Sequence, residues 1–257
     1  GIQNTIIGGL AGDALSDADY NVAVGVNALS ADTKGSRSVA IGRSSLVSQN
    51  FTSATDTYNV AVGFHAGHLI TTGTFNTLLG GLSGDSLTDA DFNTALGYGT
   101  LSSDTLGSKS VAIGSKALFT QNFTSATDAY NVAIGVNAGQ LVTTGVENVL
   151  IGGLAGDALT TGSGNVALGT ESLSAEDAHG KNTAIGHQAL LVQNAGADAY
   201  NVAVGFQSGK AVTTGTQNTF VGAFAGDGTD DGIENTAMGY QALSANAGQS
   251  NTAIGRQ

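Results

Sequence analysis

The chain has 257 residues, with 8 Lys and Arg against 20 Asp and Glu for a net charge of −12, and it contains 39 Gly but no Pro, Cys or Trp. Without cysteine there are no disulfides, thiolate zinc sites or cysteine nucleophiles, and so few cations argue against nucleic acid or anionic membranes as partners. Charged residues make up only 11% while hydrophobic residues reach 41%, a composition of ordered, Gly-punctuated β structure rather than of disorder.

The first predicted strand opens at Asn4, and its pattern returns along the whole chain: Asn or Ser, then Thr or Val, a usually small residue, an aliphatic residue, then Gly. Copies begin at Asn21, Ser38, Asn59, Asn76, Asn93, Ser110, Asn131, Asn148, Asn165, Asn182, Asn201, Asn218, Asn235 and Asn251. Successive starts lie 17, 17, 21 and 17 residues apart, the series repeats from Asn76, and the third cycle runs 17, 17, 19 and 17. The chain reads as one repeat array over 1–257, with four-rung cycles starting near 4, 76, 148 and 218. A rung of this length is too short for a strand, a helix and two loops. It predicts an all-β solenoid in which each strand stacks on its equivalent in the next rung, about 4.8 Å away. A second short strand is expected after each Gly, as at Ala28-Leu29 and Ala117-Leu118-Phe119. The chain opens at Gly1 without Met and closes on a motif-like Gly255-Arg256, so it is expected to be a segment of a longer protein.

Alternation along each motif puts the second and fourth residues, such as Val132 and Ile134, on one face and Ala133 on the other. The aliphatic pair is assigned to the core. The opposite face, carrying Ala23, Ala40, Ala61, Ala112, Ala133 and Ala184, is assigned to self-association, because a core one layer thick calls for a close partner.

Repeats of the form NVAIGxxA at Asn131, SVAIGxxA at Ser110 and NTAIGxxA at Asn182 resemble the head repeat of YadA-like trimeric autotransporter adhesins. They are also similar to the NTAIGxxAL and LTTGxxNTxxG repeats of phage tail fibres. The resemblance spans the chain and implies a left-handed parallel β-roll, a homotrimer and an extracellular location on a cell surface or virion. The rungs here are longer than those of adhesin heads, so the adhesin ligand does not carry over.

Four kinds of candidate site stand out. The long loops of the third rung in each cycle should collect on one edge, which makes Asn50, Phe51, Thr52 and Asn122, Phe123, Thr124 candidate recognition residues. The competing reading has Phe51 and Phe123 tucked over the thin core. His65 and His68 are a tight pair lacking further ligands at a fixed spacing, so no metal is assigned. Asp13, Asp17 and Asp19, matched by Asp85, Asp89 and Asp91, read as solvated turns rather than a calcium roll. Gly162-Ser-Gly164 leads into a strand instead of opening a helix, so it is no dinucleotide fingerprint. No nucleophile elbow, cofactor site or inserted membrane segment is read. The expected function is a non-catalytic shaft or head of a surface fibre, attaching to a host or surface ligand; the alternative is a subunit of a self-assembling extracellular filament.

Overall fold

The computed structural model describes residues 1–257. It is all-β, without a helix, and its parallel strands stack as fifteen coils of a β-solenoid. The chain divides into two compact units, Gly1–Tyr130 and Asn131–Gln257. The first holds the rung strands Thr5–Ile7, Val22–Val24, Val39–Ile41, Val60–Val62, Thr77–Leu79, Thr94–Leu96 and Val111–Ile113. The second holds Val132–Ile134, Val149–Ile151, Val166–Leu168, Thr183–Ile185, Val202–Val204, Thr219–Val221, Thr236–Met238 and Thr252–Ile254.

Within each unit the pairing is parallel and in register. Val22, Ala23 and Val24 pair with Val39, Ala40 and Ile41, and the same register holds across the 21-residue step, where Val39 pairs with Val60, and the 19-residue step, where Thr183 pairs with Val202. Extra residues are therefore looped out of the coil and leave the ladder unchanged.

The motif asparagine explains why the register is so firm. Its Oδ1 accepts the backbone N–H of the equivalent residue one rung on, as Asn59 does from Asn76 at 2.9 Å and Asn148 from Asn165 at 3.0 Å. Its Nδ2 donates to a carbonyl that closes its own coil, from Asn76 to Ala90 at 2.7 Å and from Asn148 to Gly162 at 2.8 Å. One buried carboxamide thus satisfies backbone groups that water cannot reach. Each strand ends at a Gly with a φ that side chains rarely adopt. At Gly63 φ is +145°, and a Cβ there would collide with the Gly80 carbonyl of the next coil.

The second strand expected after each Gly does not form. Asn27 and Leu29 take φ of 59° and 53°, and the equivalent positions of other rungs do the same. Left-handed residues cannot continue a strand. They turn the corner instead, and the residue before each motif, such as Tyr20 at φ 61°, turns another.

The faces are the reverse of the expectation. Ala23, Ala40, Ala61, Ala112, Ala133 and Ala184 are completely buried inside the coils, so they are not an association face. The residues on either side of them point outward: the Val at the second position is half-buried, and Ile41, Leu79, Leu168 and Met238 at the fourth are exposed. The physical reason is width. A coil this narrow cannot hold an aliphatic layer from the strand as well as Leu29, Leu46, Leu101, Leu118, Leu173 and Leu190, which enter from the opposite corner and are fully buried. Volume is conserved across the coil. Rungs with a large third residue, Leu78, Leu150 or Phe220, carry Gly84, Gly156 or Gly226 opposite, and a Cβ on Gly226 would lie 2.6 Å from the Phe220 ring.

Candidate functional site

The long loops of the first two cycles each add a short parallel pair, Gly35–Ser36 with Thr55–Asp56 and Gly107–Ser108 with Thr127–Asp128. Thr33 and Thr105 staple the loop tips to the preceding coil, their hydroxyls donating to the Phe51 and Phe123 carbonyls at 2.9 and 2.8 Å. Asn50, Thr52, Asn122 and Thr124 are exposed, as the recognition reading requires. Phe51 and Phe123 are not. They are buried at 7% and 5% exposure, closing the end of the coil, so they leave the candidate recognition surface.

Beneath each loop lies a polar cluster that the sequence reading missed. Asp32, Gln49, Asp104, Gln121, Glu176 and Gln193 are all fully buried. Asp32 Oδ1 accepts the backbone N–H groups of Gly35 at 2.9 Å and Phe51 at 3.2 Å, while Oδ2 accepts Gln49 Nε2 at 2.6 Å. Gln49 also donates to Ser38 Oγ at 2.9 Å and accepts from Asn59 Nδ2 at 2.9 Å. Asp104 repeats this with Gly107, Phe123 and Gln121 at 3.0, 3.2 and 2.5 Å. A signal was present in the sequence. Three residues after the corner Gly or Leu, the fourth and first rungs of a cycle place Ile70, Leu87, Val142 or Leu159, but the second and third place Asp or Glu and Gln. Ser replaces Asn at 38 and 110 for the same reason: the inserted loop carries away the carbonyl fourteen residues on, and the Gln side chain fills the gap.

The third cycle is built differently. Glu176 stands where Asp32 and Asp104 do, His179 where Gly35 and Gly107 do, Ala195 where Phe51 and Phe123 do, and Asn182 keeps the asparagine. Glu176 Oε1 accepts the His179 backbone N–H at 3.2 Å and Oε2 accepts Gln193 Nε2 at 3.2 Å. Burial pushes the Glu176 carboxyl up, and the N–H groups of His179 and Ala195 oppose that shift. Two buried nitrogens, His179 Nδ1 and Asn182 Nδ2, have no hydrogen-bond partner.

Outside, each long loop meets the preceding coil through a cation, an acid and a tyrosine. Arg37 Nε lies 3.0 Å from Asp56, Lys109 Nζ 2.5 Å from Asp128 and Lys181 Nζ 2.6 Å from Asp198. Tyr58, Tyr130 and Tyr200 lie under these cations at 5.8, 5.3 and 5.2 Å. Hydrogen bonding to the acid, assisted by charge, raises the pKa of all three cations, and Lys181 lowers that of Asp198. These pairs are solvated and contribute little to stability.

The other candidates fall elsewhere. His65 and His68 stack at 4.2 Å between ring centroids, with Phe64 3.9 Å from His65 on its other side, and burial is the main cause that lowers His65. Of the acidic turns, Asp19 accepts the Ile2 N–H at 2.6 Å, Asp91 the Thr74 N–H at 2.6 Å and Asp85 the Ser102 hydroxyl at 2.7 Å. These carboxylates tie neighbouring coils together.

Comparison with protein-family models, curated proteins and solved structures gave no match to the chain. The class that the fold defines is a β-solenoid repeat protein.

Proposed function

We propose that this chain is a non-catalytic shaft segment of an extracellular surface fibre, a left-handed β-roll in which three copies associate side by side. The observation that supports this is the outward sheet face. At the second and fourth positions of all fifteen strands there are only Val, Thr, Ile, Leu and Met, without a single charge, in a chain of net charge −12. An uncharged strip of aliphatic and threonine side chains on an acidic protein is suited to a surface of its own kind. A second copy offers the same column at the same rung spacing. Asp32 and Asp104 support the non-catalytic part, since their oxygens are taken up by buried hydrogen bonds. Attachment to a host or surface is assigned to the exposed loop residues Asn50, Thr52, Asn122 and Thr124, displayed in repeat so that weak contacts add through effective concentration.

Light scattering on the purified chain should give three times 25.4 kDa. Ile41→Asp with Leu79→Asp should separate the copies while the β circular dichroism is retained, because both side chains are exposed on the single chain. A monomer at micromolar concentration overturns the assembly. Replacing Asn50, Thr52, Asn122 and Thr124 by Ala should abolish attachment without moving the melting temperature, and unchanged attachment would remove the loops from the reading.

A further inference from the structure

The third cycle carries a group of ligand atoms that the first two lack. Glu176, Asp177 and His179 bring one ligand atom each to within 4.8 Å of the others. Glu176 is wholly buried, and Asp177 faces solvent. His179 Nδ1 is itself sealed from solvent and has no hydrogen-bond partner, yet it lies 3.5 Å from Glu176 Oε1. That separation is long for a hydrogen bond. It is close to the ~3.4 Å expected between two ligands held on arms of about 2.0–2.1 Å at a tetrahedral angle.

The internal repeat shows what was exchanged to make this arrangement. In the second cycle Gly107 has no room for a side chain, because a Cβ would collide with the Asp104 carboxylate and lie 2.7 Å from the Phe123 ring. The third cycle has His in place of that Gly, Glu in place of that Asp and Ala in place of that Phe, the Ala in a rung two residues shorter. A side chain that only refilled the space of the lost phenylalanine would be better served by Leu or Phe, which leave no orphaned nitrogen behind. The surroundings also orient the ligands. Gln193 Nε2 holds Glu176 Oε2, and the Asp177 carbonyl is pinned by the backbone N–H and hydroxyl of Thr160, the hydroxyl at 2.9 Å. The first fixes the rotamer of the Glu176 carboxylate, as outer partners of metal ligands do, and the second holds the backbone that carries Asp177.

We infer that Glu176, Asp177 and His179 form a binding site for one borderline divalent cation of the zinc, cobalt or nickel type, with one nitrogen and two oxygen ligands. The exposed side of Asp177 leaves a coordination position to water. Nitrogen ligation favours these ions over calcium and magnesium, which take oxygen ligands. Bound there, the ion would complete the buried end of a coil that lacks its phenylalanine.

The test titrates the full-length protein with Zn²⁺ by calorimetry and with Co²⁺ by visible absorption, in a His65→Asn/His68→Gln background that removes the other histidine pair. The expected result is one ion per chain, a tetrahedral or five-coordinate Co²⁺ spectrum, and a raised melting temperature. His179→Gly, which restores the residue of the first two cycles, and Glu176→Gln should each weaken binding by at least about tenfold. Should either variant fail to fold, Asp177→Asn on the exposed side decides, and it too should weaken binding. Absence of stoichiometric binding overturns the site. So does binding that survives Asp177→Asn and His179→Gly unchanged, or that disappears with the His65/His68 background.

Discussion

The second and third cycles perform one task, ending a coil beneath a long loop, with two sets of parts. In the second, Asp104 gathers the Gly107 and Phe123 N–H groups and the Gln121 carboxamide, and the Phe123 ring lies over Gly107. In the third, Glu176 holds the Gln193 carboxamide and the His179 N–H at 3.2 Å each with the Ala195 N–H also directed at its carboxyl, the ring is gone, and His179 Nδ1 and Asn182 Nδ2 are left unpartnered. The difference teaches that Asp, Gly and Phe form one packing unit. A Cβ at Gly107 would meet both the carboxylate and the ring, so a change at one member bears on the other two.

The most damaging way to break the comparison is to remove the acid. Asp104→Ala orphans three buried donors at roughly 1–3 kcal/mol each, for a loss of about 4 kcal/mol or more. Glu176→Ala removes longer bonds and should cost visibly less in urea unfolding; equal losses would erase the distinction. Next comes exchange of the parts. Ala195→Phe alone should cost about 1–3 kcal/mol by overpacking against the imidazole. Adding His179→Gly should recover most of that, giving a coupling of about 1–3 kcal/mol in a double-mutant cycle. Strict additivity would show that the two positions are independent. A smaller effect is expected from Asn182→Ser, which imports the serine of the other cycles: it deletes an orphaned donor but also the oxygen that accepts the Asn201 N–H and Gln193 Nε2 at 3.1 and 3.2 Å. The opposing effects should leave the change within about 1 kcal/mol of zero, while Ser110→Asn should destabilise. The smallest effect belongs to the exposed pairs, where Lys109→Ala and Lys181→Ala should leave the unfolding midpoint unmoved.

The coil number, the parallel register and the placing of long loops on one phase were legible in the motif spacing, because period and insertion length are properties of the chain itself. Which face is inside was not. Alternation says that Val22 and Val24 share a side and Ala23 the other, and hydrophobicity then favours the larger pair for the core. Coil width decides otherwise, since Leu29 and Leu46 arrive from the far corner and leave room for Ala only. The buried Asp32 and Gln49 escaped notice because a carboxylate beside turn residues looks solvated until its donors are seen. Phe51 and Phe123 stood between two readings, and burial gives them to the core. Shortening their loops would therefore unfold a coil before it tested attachment.

The asparagine ladder has a mechanical consequence. Most coils are fastened twice by one asparagine, once to the coil above and once across their own opening, the coils of Ser38, Ser110 and Asn182 excepted, so a pull that frees one such asparagine releases one complete coil. A 17-residue coil yields roughly 60 Å of slack when drawn straight, at about 3.3–3.6 Å per residue. Stretched between a bead and a surface, such a chain would give way in discrete, nearly equal steps, each absorbing a tug while the coils behind it hold.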